Sequence, residues 1–322
     1  MKYVIAGLGS IGRRHLKNLV VLGESDIVLL RNNLSSLPAE ELQQYPVVTS
    51  IEAALALNPD AFIISNPSAL HLDVAIPAAK AGCHILLEKP ISNSLEKIDK
   101  LQAALLQGQG KLLVGFQFRF HPTLKIASQL ILNGEIGRPV SICARWGEYL
   151  PDMHPWEDYK SSYAARPDLG GGVVLTLCHP FDYLNWLLGK PTVEWACAEN
   201  RGDLGIAVED TAEAILRFPN GALGVLQLNY LQKPPTHTLE IVGTEGTIGW
   251  NNTDGKLSIY RNKLLNWEHF SPSHEFERNS LFVEEMRHFI SIVNGKELPL
   301  CSLEDGINAL SLALKVLAFK TK

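Results

Sequence analysis

The chain opens on a strand-length apolar run at residues 3–6, which enters Gly7-Leu8-Gly9-Ser10-Ile11-Gly12 and then a helical pattern over residues 11–22. A G-x-G-x-x-G turn held between a strand and a helix constrains the fold more than any other feature of the sequence. The first glycine permits a tight turn, the second lets the backbone approach a pyrophosphate, and the third lets the helix pack against the strand. The N-terminus of the following helix offers unpaired N–H groups and the positive end of its dipole to an anion. Gly7, Gly9, Ser10, Ile11 and Gly12 are therefore candidate contacts for a dinucleotide.

The alternation begun there continues. Apolar strand-length runs recur at residues 27–30, 61–64, 84–87 and 112–114, with helical patterns at 51–57, 71–81 and 95–106 between them. Short continuous apolar strands alternating with helices indicate a parallel sheet covered on both faces. With 322 residues the chain is long enough for two domains. The reading is α/β: a Rossmann doubly wound parallel sheet over residues 1–118, then a C-terminal α/β domain with an open, mostly antiparallel sheet over residues 119–322. The last helix is expected to pack back on the first domain.

In the second part, helical patterns cover residues 122–133 and 173–188, and a strand covers 139–148. Residues 149–169 have no clear period and read as a long functional loop. Strands follow at 193–198, 211–218, 222–230, 237–242, 247–250 and 257–260, separated by turns such as Pro219-Asn220-Gly221. Helices at 281–293 and 303–319 close the chain, the second with Ser302 as its N-cap.

Composition excludes several functions. The net charge of −5 comes without a basic run, so no nucleic-acid partner is expected. No run of about 18 apolar residues is present, and residues 1–6 hold no secretory signal, so no membrane association is expected. Cys83, Cys143, Cys178, Cys197 and Cys301 are scattered without a C-x-x-C. That argues for reduced thiols in a cytoplasm and against a structural metal.

The end of the second strand selects between the two nicotinamide dinucleotides. An acid there would hold the ribose 2′-hydroxyl of NAD. The sequence instead reads Leu29-Leu30-Arg31-Asn32-Asn33. Arg31, assisted by Asn32 or Asn33, suits a 2′-phosphate, which favours NADP over NAD; the alternative is that Arg31 is a solvated loop residue.

Three further motifs carry a resemblance. They are Leu87-Glu88-Lys89-Pro90, then Gly115-Phe116-Gln117-Phe118-Arg119-Phe120-His121-Pro122, and a Gly170-Gly171-Gly172 triplet leading into a helix with His179 and Asp182. With the glycine turn they resemble the glucose–fructose oxidoreductase / inositol dehydrogenase (Gfo/Idh/MocA) family over nearly the whole chain. The resemblance implies NAD(P)-dependent transfer of hydride between the cofactor and a carbinol or ketone of a sugar, cyclitol or sugar nucleotide. It also implies a homodimer or homotetramer formed through the open sheet. Lys89 matches the family's catalytic lysine, and an ammonium at a strand's carboxyl end can stabilise a developing alkoxide. His179 matches its general acid/base, for which imidazole has a suitable pKa; the alternative for it is a buried, hydrogen-bonded histidine.

The remaining assignments follow with the resemblance. Asn66, Pro67, His71, Glu88, Gln117 and Arg119 fall on the cofactor side, as does Lys89. Arg119, Trp156, Tyr163, Arg166, Thr176 and Asp182 are the substrate candidates beside Lys89 and His179. Arg119 could equally form a salt bridge, and the aromatic residues of 148–159 could equally staple the loop. No metal ligand set is expected. The sequence departs from the family where an Asp usually precedes the histidine: Leu175 and Thr176 stand there. Pro180 is expected to kink the helix, and Glu148, Asp152, Glu157 and Asp158 are the acids available to replace the missing carboxylate. A non-catalytic regulatory or scaffold protein of the same fold is the alternative function.

Overall fold

The computed structural model describes residues 1–31 and 40–319. It divides into two compact units, each discontinuous in sequence: residues 1–117 with 277–307, and residues 118–276 with 308–322. Residues 277–307 thus belong with the glycine turn, although a boundary after residue 118 would place them in the second domain.

In the first unit six parallel strands run in the order β3-β2-β1-β4-β5-β6. They are β1 (Tyr3–Ala6), β2 (Ile27–Leu30), β3 (Val47–Val48), β4 (Ala61–Ile64), β5 (His84–Glu88) and β6 (Leu112–Gly115). All four residues of β1, β4 and β6 are buried, as a parallel sheet covered on both faces requires. Helices α1 (Ser10–Val21), α2 (Ile51–Leu55), α3 (His71–Lys80) and α4 (Ile98–Gly108) connect the strands. Helix α1 turns His15, Leu16 and Leu19 inward, while Ser50 caps α2 by accepting the Ala53 N–H at 3.2 Å. The two-residue β3 carries too little apolar sequence to signal itself.

The second unit is built on an eight-stranded sheet, of order β14-β13-β12-β11-β7-β10-β9-β8. In chain order it holds α5 (Pro122–Leu132), β7 (Pro139–Tyr149), α6 (Leu150–Met153), α7 (Val173–Thr176) and α8 (His179–Leu188). Strands β8 (Thr192–Glu199), β9 (Thr211–Arg217), β10 (Leu223–Asn229), β11 (Leu231–Gly243), β12 (Gly246–Asn251), β13 (Lys256–Arg261) and β14 (Asn266–Phe270) follow. Every pairing is antiparallel except β10 with β7. Burial alternates along β9 and β10: Ala212, Ala214, Leu216, Leu226 and Leu228 are buried, whereas Ile215, Leu223 and Val225 are exposed.

Helix α9 (Arg278–Val293) belongs to the first unit, and α10 (Leu303–Leu317) begins there. Ser302 caps α10 reciprocally with Asp305: Asp305 N–H donates to Ser302 Oγ at 3.3 Å, and Ser302 N–H to Asp305 Oδ2 at 2.8 Å.

Two sequence expectations are corrected. The helix expected over residues 173–188 is two helices broken at Leu177 and Cys178, so Pro180 lies in the first turn of α8 rather than inside a kinked helix. Proline is favoured there, because the N–H it lacks would have no helical partner anyway. Residues 149–169 are not one structureless loop but contain α6 and two short 3₁₀ turns, Tyr163–Ala165 and Pro167–Leu169. Strand β14 had no signal because four of its five residues are exposed and polar or aromatic.

Candidate active site

In the first unit, the carboxyl ends of the parallel strands lie along one edge of the sheet. Gly7 follows β1, Ser65 and Asn66 follow β4, and Lys89 follows β5. In open α/β sheets this edge is the ligand crevice. Gly7 has φ +88°, and a Cβ there would stand 2.4 Å from Asn66 N. A Cβ on Gly12 would stand 1.9 Å from the Gly7 carbonyl oxygen. Both glycines are demanded by the close packing of β1, α1 and the end of β4. Gly9 is different: its φ is −71°, it is exposed, and a Cβ there would meet nothing within 4 Å. Its missing side chain leaves open the space over the turn. Helix α1 has no side-chain cap and no acid in its first turn, so its N-terminal N–H groups are left for an anion. The turn fits the pyrophosphate of a dinucleotide.

Other residues expected on the cofactor side have partners within the first unit. His71 is buried, with Nδ1 2.9 Å from the Pro90 carbonyl oxygen and Nε2 2.8 Å from that of Asn66. It staples the segment after β4 to the segment after β5, and burial lowers its pKa against the effect of those carbonyls. Asn66 donates from Nδ2 to the Leu70 carbonyl at 3.1 Å, and Pro67 leads into the 3₁₀ turn Ser68–Leu70. Gln117 is buried. Arg31 is half-buried, donates its N–H to the Val48 carbonyl at 3.1 Å, and has a buried Nε with no hydrogen-bond partner among the described residues. Asn32 and Asn33 lie outside the described residues.

Glu88, read from sequence as a cofactor contact, is buried with partners in its own unit. Its Oε1 lies 2.8 Å from His15 Nε2, and its Oε2 accepts the Lys89 N–H at 3.2 Å. Burial works against its charge, but the hydrogen bond and charge of His15, with Lys89 beyond, hold its pKa below the ordinary carboxylate value. A third group completes the cluster: a ring nitrogen of His15 and one carboxylate oxygen each of Glu88 and Glu285 lie within 4.8 Å of one another, all buried. Sequence reading missed His15 and Glu285. His15 sits three residues past the last glycine on the inward face of α1, a signal that was available. Glu285 arrives from the far end of the chain with no local pattern. Lys89 itself is half-buried, and the Lys89–Pro90 peptide bond is cis.

In the second unit, His179 starts α8 and is buried among rings. Phe118 stands edge-on at 4.9 Å between centroids and Trp146 lies tilted at 5.3 Å. His237 stacks on Trp146 at 4.3 Å, and its Nε2 lies 3.3 Å from the Tyr183 hydroxyl. Asp182, on the next turn of α8, is gripped by Arg119, so these two substrate candidates are brought together as a buried ion pair. Thr176 ends α7, and with Leu175 it is buried where the family's acid would stand. A carboxylate does reach α7: Glu209 Oε1 accepts the Val174 N–H at 3.1 Å. Burial raises the pKa of Glu209. It was not among the acids considered from sequence.

The segment after β7 divides. Tyr159 donates its hydroxyl to the Leu204 carbonyl at 3.0 Å, which staples the loop. Trp156 is 58% exposed beside His154, and Tyr163 is half-buried. Arg166 is exposed and bonded to Asp168 two residues on, from Nε at 3.1 Å and from Nη2 at 2.5 Å. None of the five cysteines forms a disulfide. Among the described residues no helix is long and apolar enough to cross a membrane.

Comparison with known proteins matches both units. Residues 1–116 match the family model described as the oxidoreductase family NAD-binding Rossmann fold, and residues 124–249 match the Gfo/Idh/MocA C-terminal domain. The myo-inositol 2-dehydrogenase of Thermotoga maritima is 27% identical, over 97% of this chain and 94% of its own. Among solved structures, levoglucosan dehydrogenase in complex with NADH superposes with a TM-score of 0.86 at 20% identity, covering 98% of this chain and 96% of the other. The WlbA dehydrogenase from Bordetella pertussis, in complex with NADH and UDP-GlcNAcA, has a TM-score of 0.82 at 23% identity, covering 98% and 95%. With a glycine turn that fits a pyrophosphate and both halves matched, the chain belongs to the Gfo/Idh/MocA family of NAD(P)-dependent oxidoreductases.

Proposed function

We propose that this chain interconverts a carbinol and a ketone on a sugar, cyclitol or sugar nucleotide, with Lys89 and His179 as its catalytic residues. The observation that carries the reading is the position of Lys89. It leaves the carboxyl end of β5 on the same sheet edge as the glycine turn, with its backbone tied to the Glu88 carboxylate. A nicotinamide bound at that edge supplies the carbon that gives or takes the hydride. The chain's residues do the rest. Gly7–Gly12 and the start of α1 hold the pyrophosphate. Arg31, at the end of β2, would meet the adenosine ribose, and its charge favours a 2′-phosphate, hence NADP over NAD. The Lys89 ammonium stabilises negative charge on the substrate oxygen, and the His179 imidazole takes or returns the hydroxyl proton. Trp156 and Tyr163 offer ring faces suited to a sugar. The myo-inositol 2-dehydrogenase relative and the UDP-GlcNAcA complex of WlbA support this substrate class. The exposed row Ile215, Leu223 and Val225 is the surface we assign to self-association as a dimer or tetramer.

The test is nicotinamide absorbance in the near ultraviolet on mixing the protein with NAD+ or NADP+ and a panel of sugars, cyclitols and sugar nucleotides. Turnover is expected, and Lys89→Ala and His179→Ala are expected to lose it while still binding the cofactor. Full activity in both variants would overturn the assignment.

A further inference from the structure

Glu285 is an acid in a place where a carboxylate ion has no support. It projects from α9, its side chain is fully buried, and neither of its oxygens has a hydrogen-bond partner among the described residues. Phe282, Met286 and Phe289 of the same helix are buried beside it in sequence. An ionised carboxylate deprived of every donor is among the costliest groups a fold can bury. A carboxylic acid escapes most of that cost and acquires something to give, an O–H.

An acceptor stands close by. The cluster formed with His15 and Glu88 spans no more than 4.8 Å between its polar atoms. Glu88 is the ionised member, fixed on one side by His15 and on the other by the Lys89 N–H. It packs closely against β6 as well: a Cβ on Gly115 would stand 3.2 Å from Glu88 Cδ, a tight contact that the carboxylate would have to yield to. The titratable and charged groups that act on Glu88 or Glu285 are His15 and Arg14 of α1, His71 of α3, Lys89 after β5, and each other. Two carboxylates this close do not both ionise in a buried setting. The environment assigns the proton to Glu285, because burial and the Glu88 charge both disfavour its anion.

We propose that Glu285 is a positioning residue: as a neutral carboxylic acid it donates its O–H to Glu88, and the resulting His15–Glu88–Glu285 network fixes the backbone from which Lys89 projects. The role in turnover rests on the reading of Lys89 given above; the protonation state does not. A divalent cation is the competing occupant of the same three groups. It would require Glu285 ionised, and it would draw Glu88 away from His15 and Lys89 N–H.

Infrared spectra of the whole protein at neutral pH decide the protonation state. The wild type is expected to show a protonated-carboxyl C=O band that Glu285→Gln lacks. Absence of that band, or a divalent metal found at one per chain and lost in Glu285→Gln, would overturn the proposal. The positioning role is read with NADP+ and whichever sugar of the panel turns over fastest. Glu285→Leu is expected to lose about tenfold in kcat with nicotinamide affinity unchanged, and Glu285→Gln, which keeps a donor, to recover most of it. Equal loss in the two variants would overturn the positioning role. Should Glu285→Leu fail to fold, the infrared comparison of wild type with Glu285→Gln still decides the proton. Full activity of Lys89→Ala would refute the catalytic reading while leaving the infrared band in place, so the two failures are distinguishable.

Discussion

Arg119 holds Asp182 through three contacts: Nε reaches the two carboxylate oxygens at 3.2 and 3.0 Å, and Nη2 reaches Oδ1 at 2.7 Å. Four residues along α8 from Asp182, Trp186 lies 5.5 Å from the same guanidinium, so one helix face presents both a carboxylate and a ring to one arginine. Both ionic partners are nearly fully buried. Such a pair contributes little net stability as a unit, but breaking it strands a charge in a low dielectric. Asp182→Ala is therefore expected to cost the second unit about 3–5 kcal/mol, measured by urea unfolding. The double variant Arg119→Met/Asp182→Leu, which removes both charges, is expected to recover most of it. An additive loss in the double variant would show that the pair is not what holds α8.

The three glycines of the turn separate folding from binding. Gly12→Ala drives a methyl to 1.9 Å from the Gly7 carbonyl, so it is expected to destabilise the first unit itself. Gly9→Ala meets no protein atom within 4 Å and requires no unusual φ. It is expected to leave the melting temperature within a few degrees while weakening nicotinamide dinucleotide binding about tenfold or more. Calorimetric titration with NADH and NADPH alongside thermal melts checks both. Undiminished affinity in Gly9→Ala would mean that the space above the turn is not the pyrophosphate site.

These glycines also mark where the sequence was legible. Short apolar runs of β1, β2 and β4 could be read to the residue because all their residues but Leu30 are buried, whichever way they face. The turn, its helix and the Ser302 cap are equally local. The surroundings of Glu88 were not legible because they are built by His15, 73 positions away, and by Glu285, nearly two hundred further along. The residues of α7 and α8 carry one unbroken apolar period, and only backbone geometry shows the break before His179. Nothing in the local pattern of Arg166, a substrate candidate, announces its ion pair with Asp168. Local periodicity reports burial well; it cannot report which polar groups meet inside.

The proposed preference for NADP rests on Arg31. Its half-buried guanidinium follows β2, where an acid would hold a ribose 2′-hydroxyl, and no acid is present at residues 31–33. Arg31→Asp is expected to weaken NADPH binding by about tenfold or more relative to NADH, through loss of the charge partner and new repulsion of the 2′-phosphate. Fluorescence titration of the two reduced coenzymes measures the ratio. An unchanged ratio would remove Arg31 from the cofactor site.

His121 supplies a pH dependence whose sign can be worked out from hydrogen bonds. The Thr123 hydroxyl donates its one proton to the Gly255 carbonyl at 2.7 Å and accepts from Trp250 Nε1 at 3.1 Å. Toward His121 Nδ1, at 3.0 Å, that oxygen can then only accept, which places the imidazole proton on Nδ1. Nε2 is buried with no hydrogen-bond partner among the described residues, so a second proton there would be a charge without an acceptor. Burial accordingly lowers the pKa of His121 from 6.5 to about 4. Between those values the unfolded chain binds a proton that the folded chain refuses. The stabilising effect of neutral His121 is thus present above about pH 6.5 and is lost as pH falls toward 4, at no more than about 1.4 kcal/mol per pH unit and about 3 kcal/mol in all. His71, whose pKa burial also lowers, acts in the same direction. The comparison is therefore between wild type and His121→Asn, which keeps a donor for Thr123 but cannot titrate. Urea midpoints measured from pH 7.5 down to 4.5 are expected to fall more steeply in the wild type. Parallel declines would mean that His121 takes up its proton as readily in the folded protein as in the unfolded one.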